Sequence, residues 1–429
     1  EPELLPQGRQ ALCGLPPYTG SVPRVHALTT SCAHMGKESK MSIPDLETYL
    51  PKVISWRRDL HMHPELGLQE VRTSNLIADL LTKFGLDVQR NFAGTAVLGT
   101  LHTNKPGKTV VLRADMDALP IQDAKDVPYR SQISGVCHAC GHDAHTANLL
   151  GVANYISDHR TEFCGTIKFL FQPAEELLEG AKLVCQSGVL DGTDYILGQH
   201  AVLDVDVGQV QVCYGPSNGG GDEFTLRLHG VGCHGARPHT GKDPILLAAK
   251  VIEGFQQIIS RELDPLKAAV ISVCSVQAGQ HESKNVVPQE AVLAGTVRTL
   301  EEDVRTYVLT RMEEIVAGLC SASRCSYTLE HVTKVPPLTS DQQLTQLVEN
   351  TAVELVGREN VLYRPAPTMG VEDFSWYTRN YNACMFYFGA RNVEKGIITR
   401  GHNPKFDIDE ECSRVVPMFI LLSKRLMLD

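Results

Sequence analysis

The first sustained hydrophobic period in the chain begins near Pro44. "PDLETYLPKVISWRRDLHMHPELG" sets Leu46, Tyr49, Val53 and Ile54 at helical spacing, and "TSNLIADLLTKFG" repeats the pattern up to a helix-stopping Gly85. Short apolar runs then take over. "TVVLRAD" (109–115), "TIKFLFQ" (166–172) and "DYILGQH" (194–200) are almost continuously apolar, which suits strands buried on both faces of a parallel or mixed sheet. Between the first two, "DAHTANLLGVANYISDH" reads as a helix. The alternation predicts an α/β sandwich.

The rhythm breaks at "GPSNGGG", residues 215–221. Strand "EFTLRLHG", helix "PILLAAKVIEGFQQIISRE", strands "AAVISVCSVQAG" and "AVLAGTVRT", helix "EEDVRTYVLTRMEEIVAGLC" and strand "RCSYTLEHV" follow. This βαββαβ order is the ferredoxin-like split arrangement. After "VPPL" the α/β rhythm returns, so the small unit reads as an insertion. The predicted organisation is a loose extension (1–42), the first part of an α/β domain (43–221), an inserted satellite (222–334) and the second part of the α/β domain (335–429).

Length agrees with two domains, because 429 residues exceed the roughly 250–300 that one core organises. A formal net charge of −10, with no clustered Lys and Arg, argues against a nucleic-acid partner. No apolar run approaches the roughly 18 residues of a membrane span, the last cluster (418–422) being too short. The 13 cysteines are odd in number and scattered from Cys13 to Cys412, and no Asn-x-Ser/Thr acceptor occurs. That pattern predicts free thiols in a reducing, cytoplasmic setting. Residues 1–42 hold neither the apolar stretch of a secretory signal nor the Arg-rich, acid-free composition of a transit peptide.

Chemistry concentrates where strands end, the usual place for sites in α/β sheets. Asp115 and Asp117 follow one strand, Glu175 and Glu176 another, and His200 ends a third. "HACGHDAH" (138–145) adds His138, Cys140, His142, Asp143 and His145, and His402 lies in "GHNPKFDIDEE". Cys140 and His142, two apart in a turn, suit zinc or its first-row neighbours, although such residues also cap helices or sit on surfaces. Cys137 and Cys140 form a Cys-x-x-Cys that a redox pair or half a zinc clip would use. In the adjacent pair Glu175-Glu176 one carboxylate can ligate metal while the other accepts a proton, unless both belong to a solvated helix face. His234 and His239 in "GCHGARPHTGKDP" can donate to an oxyanion, and Asn285 and Arg298 can hold a carboxylate; all four also fit plain structural or surface roles. "GPSNG" matches a serine-hydrolase elbow at Ser217, but no helix follows it.

In order, "WRRDLHMHPELGLQE", "LRADMDALPI", "HACGHDAH", "FQPAEE", "GARPHTGKDPI", "NVVP", "GTVRT", "VEDFSWY" and "GHNPKFDIDE" resemble the amidohydrolase branch of the aminoacylase and carboxypeptidase family of metallopeptidases. Hippurate hydrolases, N-acyl-amino-acid deacylases and plant hydrolases of indole-acetyl amino acids belong to that branch. The likeness runs from about residue 46 to 425. It implies a two-metal catalytic domain with an inserted dimerisation or lid domain, an expected homodimer through that satellite, and two divalent ions per chain: zinc or manganese, with cobalt possible. By position it makes Cys140, His142, Glu176, His200 and His402 metal ligands, with Cys140 in place of a bridging carboxylate. Glu175 falls on the general base, Asp117 on the aspartate supporting the metal geometry, and His234 on the histidine that reaches a substrate carbonyl, often across a dimer interface. Asp115 falls where relatives ligate through histidine. Cys137 and "GQHAVLDVDVG" depart from the family pattern. The implied reaction is hydrolysis of the amide bond of small-molecule N-acyl amino acids. A dipeptidase or carboxypeptidase of the same family, or a metal-binding protein without hydrolysis, are the rival readings.

Overall fold

The computed structural model describes residues 44–427, so the extension predicted over 1–42 lies outside the described residues. The chain opens with helices α1 (Leu50–Met62) and α2 (Val71–Lys83), then lays down β1 (Asp87–Arg90), β2 (Val97–His102) and β3 (Thr109–Asp115). Helix α3 (His142–Asp158) leads to β4 (Thr166–Gln172), α4 (Gly180–Gln186), β5 (Tyr195–Asp206), β6 (Val210–Val212) and β7 (Pro216–Asn218). Next come β8 (Gly220–His229), β9 (Cys233–His234), α5 (Pro244–Gln257), β10 (Ala269–Ala278), β11 (Val286–Val287), β12 (Glu290–Thr299), α6 (Glu302–Ser323) and β13 (Ser326–Val335). The chain closes with β14 (Leu338–Thr339), α7 (Gln342–Val356), β15 (Val361–Tyr363), α8 (Ser375–Asn380), β16 (Ala383–Arg391) and α9 (Val416–Leu426).

Eight strands form one mixed sheet in the order β1-β2-β4-β3-β5-β16-β6-β15. Its centre is parallel: β3 pairs with β4 and β5, and β5 with β16. The central strands are buried on both faces, as their unbroken apolar runs require. Helix α3 is buried from His142 to Ser157 and packs against α1, α9 and β3. Small residues permit that approach; a Cβ on Gly151 would sit 2.6 Å from Val53 Cγ2. Because β3, β4 and β5 run the same way, the carboxyl ends of β3 and β4 bring Asp115 and the loop after Gln172 level with His200, which lies partway along β5.

The second sheet, β10-β12-β8-β13, is antiparallel and carries α5 and α6 on one face. Its strand order and βαββαβ connectivity are ferredoxin-like. Strand β12 alternates buried and partly exposed positions, so one face meets the helices through Leu293 and Val297. Its first strand starts at Gly220, earlier than the pattern predicts, because Gly220 and Gly221 pair with Thr299 and Arg298 of β12. Strand β5 likewise continues to Asp206 rather than turning after His200. Among the described residues all eleven cysteines are free, and no helix is long and apolar enough to cross a membrane.

Candidate metal and catalytic site

The left-handed turn at Gly141 (φ 94°) starts α3 and sets Cys140 and His142 on either side of it. His142 donates through Nδ1 to the carbonyl of Asp117 (2.9 Å), since a carbonyl can only accept, and this fixes the ring with Nε2 on its far side. That Nε2 is buried with no hydrogen-bond partner among the described residues. His200 repeats the device: Nδ1 donates to the Ala201 carbonyl (2.7 Å) and Nε2 lies 3.6 Å from Cys140 Sγ. Anchoring one ring nitrogen to present the other is how proteins orient histidine ligands. Glu176 Oε1 is also buried and unpaired, 3.4 Å from His402 Nε2 but without hydrogen-bond geometry. His402 holds a left-handed backbone (φ 60°), fixed by its own N–H to the Ala139 carbonyl (2.8 Å).

These donors fall into groups that share members. Cys140, His142 and His200 offer ligand atoms within 4.8 Å of one another, as do Cys140, Glu176 and His402, and His142, Glu175 and Glu176. Cys140 joins the first two groups. Two orphaned buried atoms, a thiol common to two donor groups and a mixture of sulfur, imidazole and carboxylate fit a pair of divalent ions. Burial works against the Cys140 thiolate, yet His200 and His142 hold its pKa down to about 6.

Other members of "HACGHDAH" are spent elsewhere. His145 donates from Nδ1 to Asp115 Oδ1 (2.6 Å) and accepts at Nε2 from the Ala201 N–H (2.8 Å). Burial pushes its pKa down to about 4, in keeping with a neutral ring. Asp115 gives its second oxygen to Arg113 Nη1 (2.6 Å), so both of its oxygens hold hydrogen bonds beside His142 and His145. Asp143 pairs with Arg57 and His61 (2.8 and 2.7 Å). His138 is buried with both ring nitrogens unpaired among the described residues, and Cys137 is buried as a free thiol. Ser217 is buried on β7, which runs on into a strand and not a helix, so the elbow geometry is absent.

Residues 173–179 loop from β4 to α4 through left-handed Ala174 and Leu178. Buried Glu70 anchors the loop, accepting from the Ala174 N–H (2.9 Å). Glu175 is 5% exposed; Oε1 accepts from the Asp373 N–H (3.4 Å), while Oε2 stands 3.9 Å from His142 Nε2. Burial and the nearby Glu372 and Asp373 raise its pKa well above the carboxylate range. Arg113 braces this acid cluster, contacting Asp373 (3.0 Å) and Glu372 (3.5 Å) as well as Asp115. Sequence reasoning gave Arg113, Glu372 and Asp373 no role, because partners some 260 positions apart leave no local spacing signal.

A cavity of about 440 Å³ opens onto Cys140, Glu175, Glu176, His200 and His402, and Asn218, Arg364 and Tyr387 also line it. His234, Asn285 and Arg298 do not. His234 pairs with Val286 across the β9/β11 ladder, and the Asn285 carbonyl accepts from Gly235 N–H (2.7 Å), so these two share one exposed corner of the inserted unit. Arg298 lies on β12 opposite Gly221, and His239 lies in an exposed turn.

Residues 111–423 match the family described as peptidase family M20/M25/M40. An N-acyl-L-amino acid amidohydrolase of Geobacillus stearothermophilus is 43% identical over 293 residues, covering 68% of this chain and 78% of the relative. Thermostable carboxypeptidase 2 of Saccharolobus solfataricus is 36% identical over 375 residues, covering 87% and 93%. The solved YXEP protein of Bacillus subtilis, described as a dinuclear metal-binding peptidase, superposes with a TM-score of 0.75 at 31% identity, over 89% of this chain and 99% of that one.

Proposed function

Because the chain belongs to peptidase family M20/M25/M40 and is a hydrolase of carbon–nitrogen bonds, we propose that it cleaves the amide bond of N-acyl amino acids. The observation that supports this reading is the pair Glu175-Glu176: Glu176 shares a donor group with Cys140 and His402, while Glu175, buried beside it, is grouped only with His142 among the sulfur and imidazole donors. In this reading Cys140, His142, Glu176, His200 and His402 hold two divalent ions, zinc or manganese, with cobalt also compatible. When bound, such ions supply Lewis acidity to a carbonyl and make water acidic near neutral pH.

With cations beside it Glu175 would stand as the carboxylate and take the proton as water adds to the amide carbon; the C–N bond then breaks and Glu175 returns the proton to the leaving nitrogen. The products are a carboxylic acid and a free amino acid. Asp117 positions His142 and Glu176 and touches no substrate. His234 donates to the carbonyl oxygen, and Asn285 and Arg298 hold the free carboxylate. As none of these three lines the chain's own cavity, they reach substrate by closure of the satellite or from a second copy in a homodimer. Eleven free cysteines support a cytoplasmic setting.

Glu175→Gln is expected to keep its metal but lose at least ~10²-fold in turnover. The measurement is metal content with kcat on a panel of N-acyl amino acids and dipeptides, using protein reconstituted separately with Zn²⁺, Mn²⁺ and Co²⁺. Near-normal turnover by the variant rejects the assigned base, dipeptide preference moves the reading to a dipeptidase, and metal without turnover reduces the protein to a metal binder.

A further inference from the structure

Among the described residues, Arg364 is the one arginine or lysine lining the cavity that contains the candidate metal donors. It follows β15, and its own N–H is held by the Val212 carbonyl (2.9 Å), so the backbone there does not depend on its side chain. The guanidinium lies 4.7 Å from the centroid of the buried Tyr387 ring. Its side-chain contact is a long one, Nη1 donating to Asn218 Oδ1 at 3.5 Å, and Tyr387 OH donates to the same oxygen at 3.2 Å. No carboxylate pairs with it among the described residues. Arg113, in contrast, is consumed by Asp115, Glu372 and Asp373.

A guanidinium has five donors in a rigid fork, and stacking on an aromatic ring fixes the plane of that fork before any ligand arrives. Arg364 therefore brings several unused donors, pre-oriented, into a chamber otherwise rich in acids. The group that complements such a fork is a carboxylate. We propose that Arg364, stacked on Tyr387 and braced by Asn218, is a specificity-determining residue that binds a carboxylate of the substrate inside this chain's own cavity. The inference rests on the amide-hydrolase reading above and adds a recognition point to it. Two parts of an N-acyl amino acid can supply the carboxylate: the α-carboxylate of the amino-acid half, or a second carboxylate ending the acyl half.

Binding separates these sources without relying on turnover. In the metal-loaded Glu175→Gln protein, calorimetry compares four ligands: N-butanoyl-alanine, N-butanoyl-alaninamide, N-succinyl-alanine and N-succinyl-alaninamide. Adding Arg364→Met is expected to weaken the ligands bearing the recognised carboxylate by about 10-fold or more, while N-butanoyl-alaninamide changes less than about twofold. Arg364→Lys restores part of the loss. A penalty that follows the free α-carboxylate assigns the amino-acid half, and one that follows the succinyl group assigns the acyl half. Equal losses on all four ligands, no loss on any, or no binding of the carboxylate-bearing ligands overturns the proposal. Absence of hydrolysis by the unsubstituted protein overturns the functional reading instead and leaves these binding ratios standing.

Discussion

Asp117 shows how much of a metal site lies in residues that touch no metal. One carboxylate oxygen accepts from the Glu176 N–H (3.0 Å), the other stands 3.3 Å from His142 Nδ1, and its backbone carbonyl takes the His142 proton. Asp117→Ala is therefore expected to cost about 10–100-fold in metal affinity, the usual effect of losing such a partner. Chelator competition measures it, and affinity equal to that of the parent would remove Asp117 from the support of the site. That Cys140, His142, Glu176 and His200 could meet was an expectation drawn from chemistry at strand and helix ends, and the structure brings them together in overlapping groups. Residue type and spacing alone did not separate His142 from His145; only the family resemblance pointed to His142. They are three positions apart on α3, and only the partners of His145, Asp115 on β3 and the Ala201 N–H on β5, mark it as structural. Those partners become visible only when the sheet is assembled.

Among the elements, the link between β4 and α4 controls the site most directly. Gly180 ends it, and a Cβ there would lie 1.7 Å from the Pro173 carbonyl oxygen, too close for any small adjustment. Gly180→Ala must push Pro173 aside and carry Glu175 and Glu176 with it. The expected result is a loss of about 1–3 kcal/mol in stability, as for other overpacked positions, together with reduced metal content. Denaturant titration and metal analysis on one preparation check both; stability loss with full metal content would show that the loop moves independently of the donors. The long strands β3, β4 and β5 were legible because burial on both faces writes a continuous apolar run. Strands β6, β7, β9, β11 and β14 are two or three residues long, too short to display a period. The start of β8 was hidden for another reason: "GGG" reads as a loop, yet Gly220 and Gly221 join a ladder with Thr299 and Arg298, which lie far along the chain.

At the scale of the molecule, the hydrophobic interior is not continuous. One set of clusters covers both faces of the eight-stranded sheet, and a separate one lies between the four-stranded sheet and α5 and α6. The smaller core is built from residues between Phe224 and Cys320, one continuous run of the chain. The smaller core closes on a buried forked ion pair: Arg305 Nε and Nη2 reach both oxygens of Asp222 at 2.7 and 2.6 Å, and Nη2 also donates to Thr333. Asp222 joins the start of β8 to α6, and it is 1% exposed. Asp222→Ala would leave the Arg305 charge buried with only Glu302 to answer it, at an expected cost of about 3–5 kcal/mol. If the two cores open as separate cooperative units, that loss has a location. Hydrogen exchange should accelerate in β8, β12 and β13 by the factor the stability change dictates, while amides of β3, β4 and β5 keep the rates of the parent protein. Acceleration spread evenly over both sheets would mean that the insertion and the eight-stranded sheet unfold as one cooperative body.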